Sequence, residues 1–459
     1  MKKLYCVIVM IGLVFGISLP AQAQLVPLSD APQLSSNPSA TTKIYLDFVG
    51  DDIPVWGSTT IGPGVVPAYD MDGKPATFNQ MELKDIRTMW TRVADAFSPF
   101  NVDVTTINPG ESHFTTAHDS VKVVIGGNHD WLRPMYGDGV YWVGGQSVIE
   151  GFQLGNGNAT SFVFAGNLPD LLKLHPTIET PRHPVRALSL ADGIVHEVGH
   201  TLGLQHQHST DPFGGSYVNP STGFPDPNGV LTDFKEYGYG TWRDTPDGNF
   251  EVLKLPFMGM AGGLLRNIWG VATTDYPPTQ DDVAVIASDY NGFGFRPDDH
   301  GNAISAADLL TLSGNKIFGA GIIETLEDKD FFSFTTPGGL ATINISPIGE
   351  WTYNNPADGY VSFEDWIGML DAKAELFDAL GNRIALEDHA YWWDHKNPTE
   401  TISLNLPAGQ YYLAVESQGT YGDLGQYTIN GTLSSVPEPA TLVLLLLGLA
   451  GVSMVKRRA

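Results

Sequence analysis

The pattern of apolar and polar positions changes period several times along this chain. At residues 43–48, Ile44, Leu46 and Phe48 alternate with polar neighbours, and a period of two predicts a strand. Over residues 79–97 the period becomes helical, with Leu83, Ile86, Trp90, Val93 and Phe97 recurring at helical spacing until Pro99 stops the run. Residues 102–107, 122–125, 140–143 and 161–164 are short apolar stretches separated by glycines, which predicts four more strands. Residues 188–195 form a mostly apolar run that enters a further helix. From 207 to 252 the chain is rich in Gly, Pro, Asp and Tyr and loses its periodicity, which reads either as an irregular subdomain lining a cleft or as a merely decorative insertion. Thr279 reads as the N-cap of a helix over 280–290, with Asp281 and Asp282 in its first turn. After a Gly/Pro/Asp linker at 291–298 the texture becomes that of a β-sandwich. Short alternating segments at 331–334, 341–345, 374–378, 401–406, 411–416 and 427–433 are divided by turn residues.

Two apolar runs at the ends are not part of either unit. Met1-Lys2-Lys3 and the run to Leu19 precede Ala21-Gln22-Ala23, the build of a secretory signal peptide over residues 1–23. Residues 440–455 are apolar and would reach about 24 Å as a helix, barely enough for a bilayer. Lys456-Arg457-Arg458 follow and keep that end on the cytoplasmic side.

Composition sharpens this picture in two ways. The single cysteine, Cys6, lies in the signal, so the processed chain has neither disulfides nor a thiolate that could block a metal. Of 25 bases and 51 acids, five bases and one acid lie in the two terminal segments, which leaves a formal charge of about −30. So acidic a protein is not built for nucleic acid or anionic lipid, but its acidic loops suit calcium.

The candidate chemistry sits at His196-Glu197-Val198-Gly199-His200-Thr201-Leu202-Gly203-Leu204-Gln205-His206. Residues four apart on a helix are rotated by about 400°, so His196 and His200 project from one face. Two imidazoles there can share a zinc ion at roughly 2.0–2.1 Å each. Glu197 lies about 100° round the helix, poorly placed as a ligand but well placed to take a proton from water. His206 reaches the same metal only if the helix ends, and Gly203 is the residue that can end it in a left-handed conformation.

The pattern HExxHxxGxxH resembles the signature of the metzincin metalloproteases. That resemblance spans residues 40–295 and includes Phe100-Asn101-Val102-Asp103-Val104-Thr105-Thr106, as in bacterial secreted members of the clan. It implies an α+β metzincin-like catalytic domain with a mixed sheet, an active-site helix and a methionine turn. His196, His200 and His206 would hold one catalytic Zn²⁺, and Glu197 would be the general base of peptide hydrolysis. The turn matches Leu255-Pro256-Phe257-Met258-Gly259-Met260, with Met258 as a soft apolar floor beneath the metal. Some metzincins place a further tyrosine ligand two residues after that methionine. Met260 stands there, so no such ligand carries over. Gln207, after the third histidine, sets the chain apart from the best-known subfamilies. An extended substrate would add to the antiparallel edge of the sheet, expected among the last strands before the zinc helix.

The all-β region over 300–434 resembles the pre-peptidase C-terminal domain. The likeness is carried by Asp328-Lys329-Asp330-Phe331-Phe332-Ser333-Phe334, Leu370-Asp371-Ala372 and Pro407-Ala408-Gly409-Gln410-Tyr411-Tyr412-Leu413. Asp328 and Asp330 are candidates for a Ca²⁺ site, against the simpler reading of a solvated turn. Trp392 and Trp393 read as core residues or as exposed binding aromatics. Val436-Pro437-Glu438-Pro439 and the tail to residue 459 resemble the PEP-CTERM sorting signal, which implies a transient inner-membrane anchor cleaved by an exosortase-type sorting protease.

The expected protein is thus a signal peptide (1–23), a linker (24–39), a zinc peptidase domain (40–295), a sandwich (300–434) and a sorting signal (436–459). It would be a zinc endopeptidase acting on protein or peptide, at the surface or in the extracellular matrix of a Gram-negative bacterium. An adhesin or matrix protein on a protease-derived fold is the alternative.

Overall fold

A computed structural model describes residues 25–136, 144–167, 183–207, 241–244, 250–259, 266–272, 279–355, 360–366, 368–388, 399–419 and 421–434. The signal peptide, the strand expected at 140–143, most of the irregular stretch 208–249, Met260, Trp392, Trp393 and the C-terminal tail lie outside them. The described residues are mostly β, with few helices.

The N-terminal unit is a five-stranded sheet. In chain order its strands are β1 (Lys43–Asp47), β2 (Asp103–Thr105), β3 (Ser120–Ile125), β4 (Gly145–Gln146) and β5 (Thr160–Val163), arranged β2-β1-β3-β5-β4. The first four in that order are mutually parallel; β4 runs antiparallel to β5 and forms the edge. Strands in a parallel sheet are covered on both faces, which explains a departure from the simple alternation at 43–48. Tyr45 and Asp47 are as buried as Ile44 and Leu46, and the Tyr45 ring stacks on Phe114.

One face of the sheet carries helix α1 (Gln80–Ala96) and helix α2 (His183–Thr201). Asn79 caps α1 reciprocally: its side chain accepts the N–H groups of Met81 and Glu82, and the Glu82 carboxylate accepts that of Asn79. Ile86, Met89 and Val93 enter the core from α1, and Ala187, Leu190, Ala191 and Ile194 from α2. Two buried ion pairs lock the helices together, Arg92–Asp192 at 3.1 Å and Arg186–Asp85 at 3.2 Å. Arg92 also donates to the carbonyl of Asn267 and lies over the Phe257 ring, tying both helices to the chain that returns beneath them.

The helix expected over 280–290 is shorter and starts later. It runs Asp282–Ile286 (α3), and Asp281 rather than Thr279 is its N-cap, accepting the N–H of Ala284. Gln280 and Asp281 instead pair as a strand with Val271–Ala272, which holds them extended. Residues 25–37 run along the sheet: Val26–Pro27 pairs with Thr77–Phe78, and the Asp103 carboxylate accepts the N–H groups of Ser36 and Asn37. Residues 291–298 are likewise bound, through Asn101 N–H to the Gly294 carbonyl, Arg296 N–H to that of Pro99, and stacking of Phe295 on Phe100.

The C-terminal unit is a β-sandwich of two five-stranded sheets. One contains Asp308–Leu309, Lys329–Thr336, Gly409–Ser417, Ala372–Phe377 and Arg383–Glu387 in that spatial order. The other contains Thr311–Ser313, Lys316–Ile323, Gly425–Leu433, Gly339–Pro347 and Glu400–Leu406. All six expected segments are strands. Lys316–Ile323 and Arg383–Glu387 are strands as well, and exposed apolar residues such as Phe318, Ile384 and Leu386 blur their alternation in the sequence. The sandwich is joined to α1 by Asp95, whose carboxylate accepts the N–H groups of Met369 at 2.7 Å and Gln426 at 2.9 Å.

Candidate metal centre

Helix α2 ends as the glycine requires. Gly203 has φ +104°, its N–H reaches the His200 carbonyl, and the Leu204 N–H reaches that of Gly199, the two bonds of a Schellman motif. The reversal turns the chain so that the His206 ring returns to the face of the helix carrying His196 and His200. Their ring centroids are separated by 4.6, 5.1 and 4.6 Å, and one nitrogen of each ring lies within 4.8 Å of the others.

The outward nitrogens of the first two rings are fixed by backbone carbonyls. His196 Nδ1 is 2.7 Å from the Phe257 carbonyl and His200 Nδ1 is 2.8 Å from that of Leu204, so each donates its proton outward. That leaves the Nε2 lone pairs pointing inward, the arrangement that orients a metal-binding imidazole. His200 Nε2 and His206 Nε2 are 3.0 Å apart. Two ligands of one tetrahedral zinc ion would be about 3.3 Å apart at ordinary Zn–N lengths. Burial and the neighbouring imidazoles hold His196 well below its ordinary pKa and push His200 down to about 4, keeping both neutral. Three convergent imidazoles, the first two held neutral, fit zinc.

Beneath them, Met258 is fully buried, and a Cβ on Gly199 would fall 2.5 Å from its sulfur. The methionine therefore packs directly under the helix. Its carbonyl accepts the N–H of Gln207, joining the turn to the segment that carries His206. Gln207 also donates from Nε2 to Asp282 at 2.8 Å. On the other side of His206, Gln280 holds the Gln205 backbone at both polar atoms, 2.8 Å from its N–H and 3.1 Å from its carbonyl. Asp282 joins the two clamps, accepting from Gln207, Gln280 and the Gly270 N–H.

Glu197 is buried beside the imidazoles. Its Oε2 accepts the Ser147 hydroxyl at 2.6 Å, and burial raises its carboxyl to about 8 against the opposing pull of that bond. Ser147, Ser161 and Thr201 form a chain of hydroxyls that ends at the Glu197 carbonyl. Gly145, on edge strand β4, lies against the carboxylate: a Cβ there would be 2.4 Å from Oε1 and 2.7 Å from Cδ. The antiparallel edge therefore passes directly over the candidate base.

The residues singled out in the sequence, His196, Glu197, His200, His206 and Met258, all come together. Phe257, Ser147, Gly145, Gln280 and Asp282 carry no motif of their own. Only the neighbourhood of Phe257 and Met258 could have pointed to one of them.

Asp298, Glu324 and Asp328 bring carboxylate oxygens together within 4.8 Å, as do Asp298, Asp299 and Asp330. Glu324 is only 3% exposed and neither of its oxygens has a hydrogen-bond partner, nor has Oδ1 of Asp328 or of Asp330. Burial pushes Asp330 up to about 8 and Glu324 to about 10, with like charges adding to both.

Residues 435–458 match the PEP-CTERM protein-sorting motif. The motif indicates export and C-terminal, membrane-associated sorting in Gram-negative bacteria, with recognition by exosortase-type machinery. No curated protein matches the chain. Among solved structures, the pre-peptidase C-terminal domain of collagenase from Bacillus anthracis aligns at 14% identity over 29% of this chain and 100% of its own, with a TM-score of 0.19. The periplasmic lysozyme inhibitor PliG of Aeromonas hydrophila aligns at 11% over 28% of this chain and 96% of its own, at 0.17. OgpA from Akkermansia muciniphila aligns at 10% over 85% of this chain and 92% of its own, at 0.18. Scores this low carry no weight for activity. No helix among the described residues is long and apolar enough to cross a membrane.

Proposed function

We propose that the chain is an exported zinc endopeptidase of the metzincin kind, hydrolysing protein or peptide. The observation that carries this is the convergence of three imidazoles, His196, His200 and His206, beside the buried carboxyl group of Glu197. Bound zinc supplies Lewis acidity, polarising an acyl oxygen and making water a better nucleophile at neutral pH. Phe257 and Leu204 fix the first two imidazoles through their carbonyls. Ser147 holds the Glu197 carboxylate in place. The charge of a bound zinc ion would favour the ionised form of Glu197 against its burial, and the carboxylate then takes the proton of the attacking water and passes it to the leaving amine as the C–N bond breaks. An extended substrate would lie along β4, the edge of the sheet among the described residues, which sets its backbone over Glu197.

The test is protein hydrolysis by residues 24–435 beside Glu197→Ala, with zinc measured in both. One zinc each and cleavage by the parent alone is the expected result; cleavage by the variant refutes the assignment of the base.

The sandwich and the sorting motif favour a second reading, an adhesin or matrix protein on a protease-derived fold. It predicts surface retention and no cleavage by the parent. A base held beside three ligating imidazoles has no use in such a protein.

We also propose a calcium ion in the acidic cluster. The buried, unpartnered oxygens of Glu324, Asp328 and Asp330, with Asp298 and Asp299 at its rim, match the hard oxygen donors calcium takes.

A further inference from the structure

Tyr421 lies in the sandwich, between the strands Gly409–Ser417 and Gly425–Leu433, yet its hydroxyl is spent on the N-terminal unit. It donates to the Asp281 carboxylate and accepts the Val283 N–H at 3.1 Å. These two residues flank Asp282, the carboxylate that joins both clamps on the His206 segment. Asp281 itself caps the short helix α3. A five-residue helix contributes little stability alone, so what holds its first turn decides where Asp282 points. Gln205, His206 and Gln207 in turn have no regular secondary structure and depend on that carboxylate and on Gln280.

We infer that Tyr421 is a positioning residue for His206, and that the sandwich is part of the scaffold holding the third metal ligand. The inference rests on the zinc reading above. The path is short and continuous: Tyr421 hydroxyl, Asp281–Val283 backbone, Asp282 carboxylate, then the Gln205 and Gln207 anchors on either side of the imidazole. Loss of the hydroxyl loosens the first turn of α3, lets Asp282 shift, and raises the entropy that His206 loses on binding metal.

Tyr421→Phe in the full chain tests this, since the ring and its packing remain. Two quantities are compared with the parent: amide hydrogen exchange of the metal-free protein, and zinc affinity by competition with a chromophoric chelator. The Gln205 and Gln207 N–H groups are both hydrogen-bonded, to Gln280 and to the Met258 carbonyl, so their exchange reads the clamp directly. Expected are exchange about tenfold faster at those two amides and zinc binding about tenfold weaker, the scale for outer residues of a metal site. Stoichiometry should stay unchanged, as should exchange in the sandwich strands. Gln280→Ala, which removes the Gln205 anchor directly, should give the same local signature. Parental protection at Gln205 and Gln207 in the Tyr421 variant overturns the inference. So does an acceleration spread evenly through both units, which would mean ordinary loss of stability. Exchange is read without metal, so a parent that takes up no zinc would refute the zinc reading and leave the exchange result to decide the clamp.

Discussion

Gly145→Ala separates the carboxylate from the rest of the site. The glycine sits on edge strand β4 in an ordinary extended conformation, so alanine suits its backbone. Its Cβ does not fit: it would lie 2.4 Å from Glu197 Oε1, 2.6 Å from Cγ and 2.7 Å from Cδ. Ordinary contact begins near 3.4 Å, so the Glu197 side chain must give way by about 1 Å, and a displacement of that size can cost about 10²-fold in rate. The carboxylate is only 7% exposed and is held by Ser147 on its other oxygen, so a shift also strains that hydrogen bond. The three imidazoles are anchored separately, by the Phe257 and Leu204 carbonyls and the Gln205 and Gln207 clamps. The prediction is hydrolysis of a denatured protein slowed roughly 100-fold with zinc content and affinity as in the parent. The measurements are initial rates at saturating substrate and metal stoichiometry by elemental analysis. A variant within about threefold of the parent would refute the placement of Glu197 under the edge strand. Rate and zinc lost together would assign the effect to folding instead.

His206→Ala should lower zinc affinity by about 10²-fold or more, since it removes a ligand outright and not an outer residue; unchanged affinity in a chelator competition would remove His206 from the site. Arg92→Met leaves Asp192 charged and buried, so it should cost about 3–5 kcal/mol in denaturant unfolding, and a loss under about 1 kcal/mol would show that the pair does not lock α1 to α2. Burial raises the Asp47 carboxyl from 3.8 to about 7. The folded state then holds the proton more tightly than the unfolded one, so this group favours folding below about 4 and the benefit is lost as pH rises to about 7. Asp47→Asn keeps the acceptor for the Val49 N–H and should flatten stability between pH 4 and pH 8, worth on the order of 3–4 kcal/mol; an unchanged slope refutes the assignment. Glu324→Gln should abolish the rise in melting temperature that calcium gives the parent, and a calcium effect of equal size in both would exclude Glu324 as a ligand.

Much of this was legible before any coordinates. The helical period at 79–97, the six sandwich segments and the spacing of His196, His200 and His206 each rest on local geometry, which a linear pattern encodes. Gly203 belongs with them: a histidine three residues beyond it can meet the other two only if the helix stops, and glycine is the residue that stops it without strain. Met258 needed the resemblance to a known turn, because an apolar residue in a loop announces nothing by itself. Thr279 is not the cap, because a good capping residue counts for little where its neighbours are recruited into a strand.

The sequence by itself determined which side chains could bind a metal and where the main helices and sandwich strands lie, since turn angles, caps and periodicity act over a few residues. Only the tertiary structure decided that Gly145 and Ser147 meet Glu197 from the sheet edge. It also decided that Phe257 orients His196, that Gln280 and Asp282 hold the His206 segment, and that a tyrosine of the sandwich secures them. Those contacts join residues from about 50 to 140 positions apart. They depend on buried polar groups finding partners once the core has closed, and no local pattern records which partner each will meet.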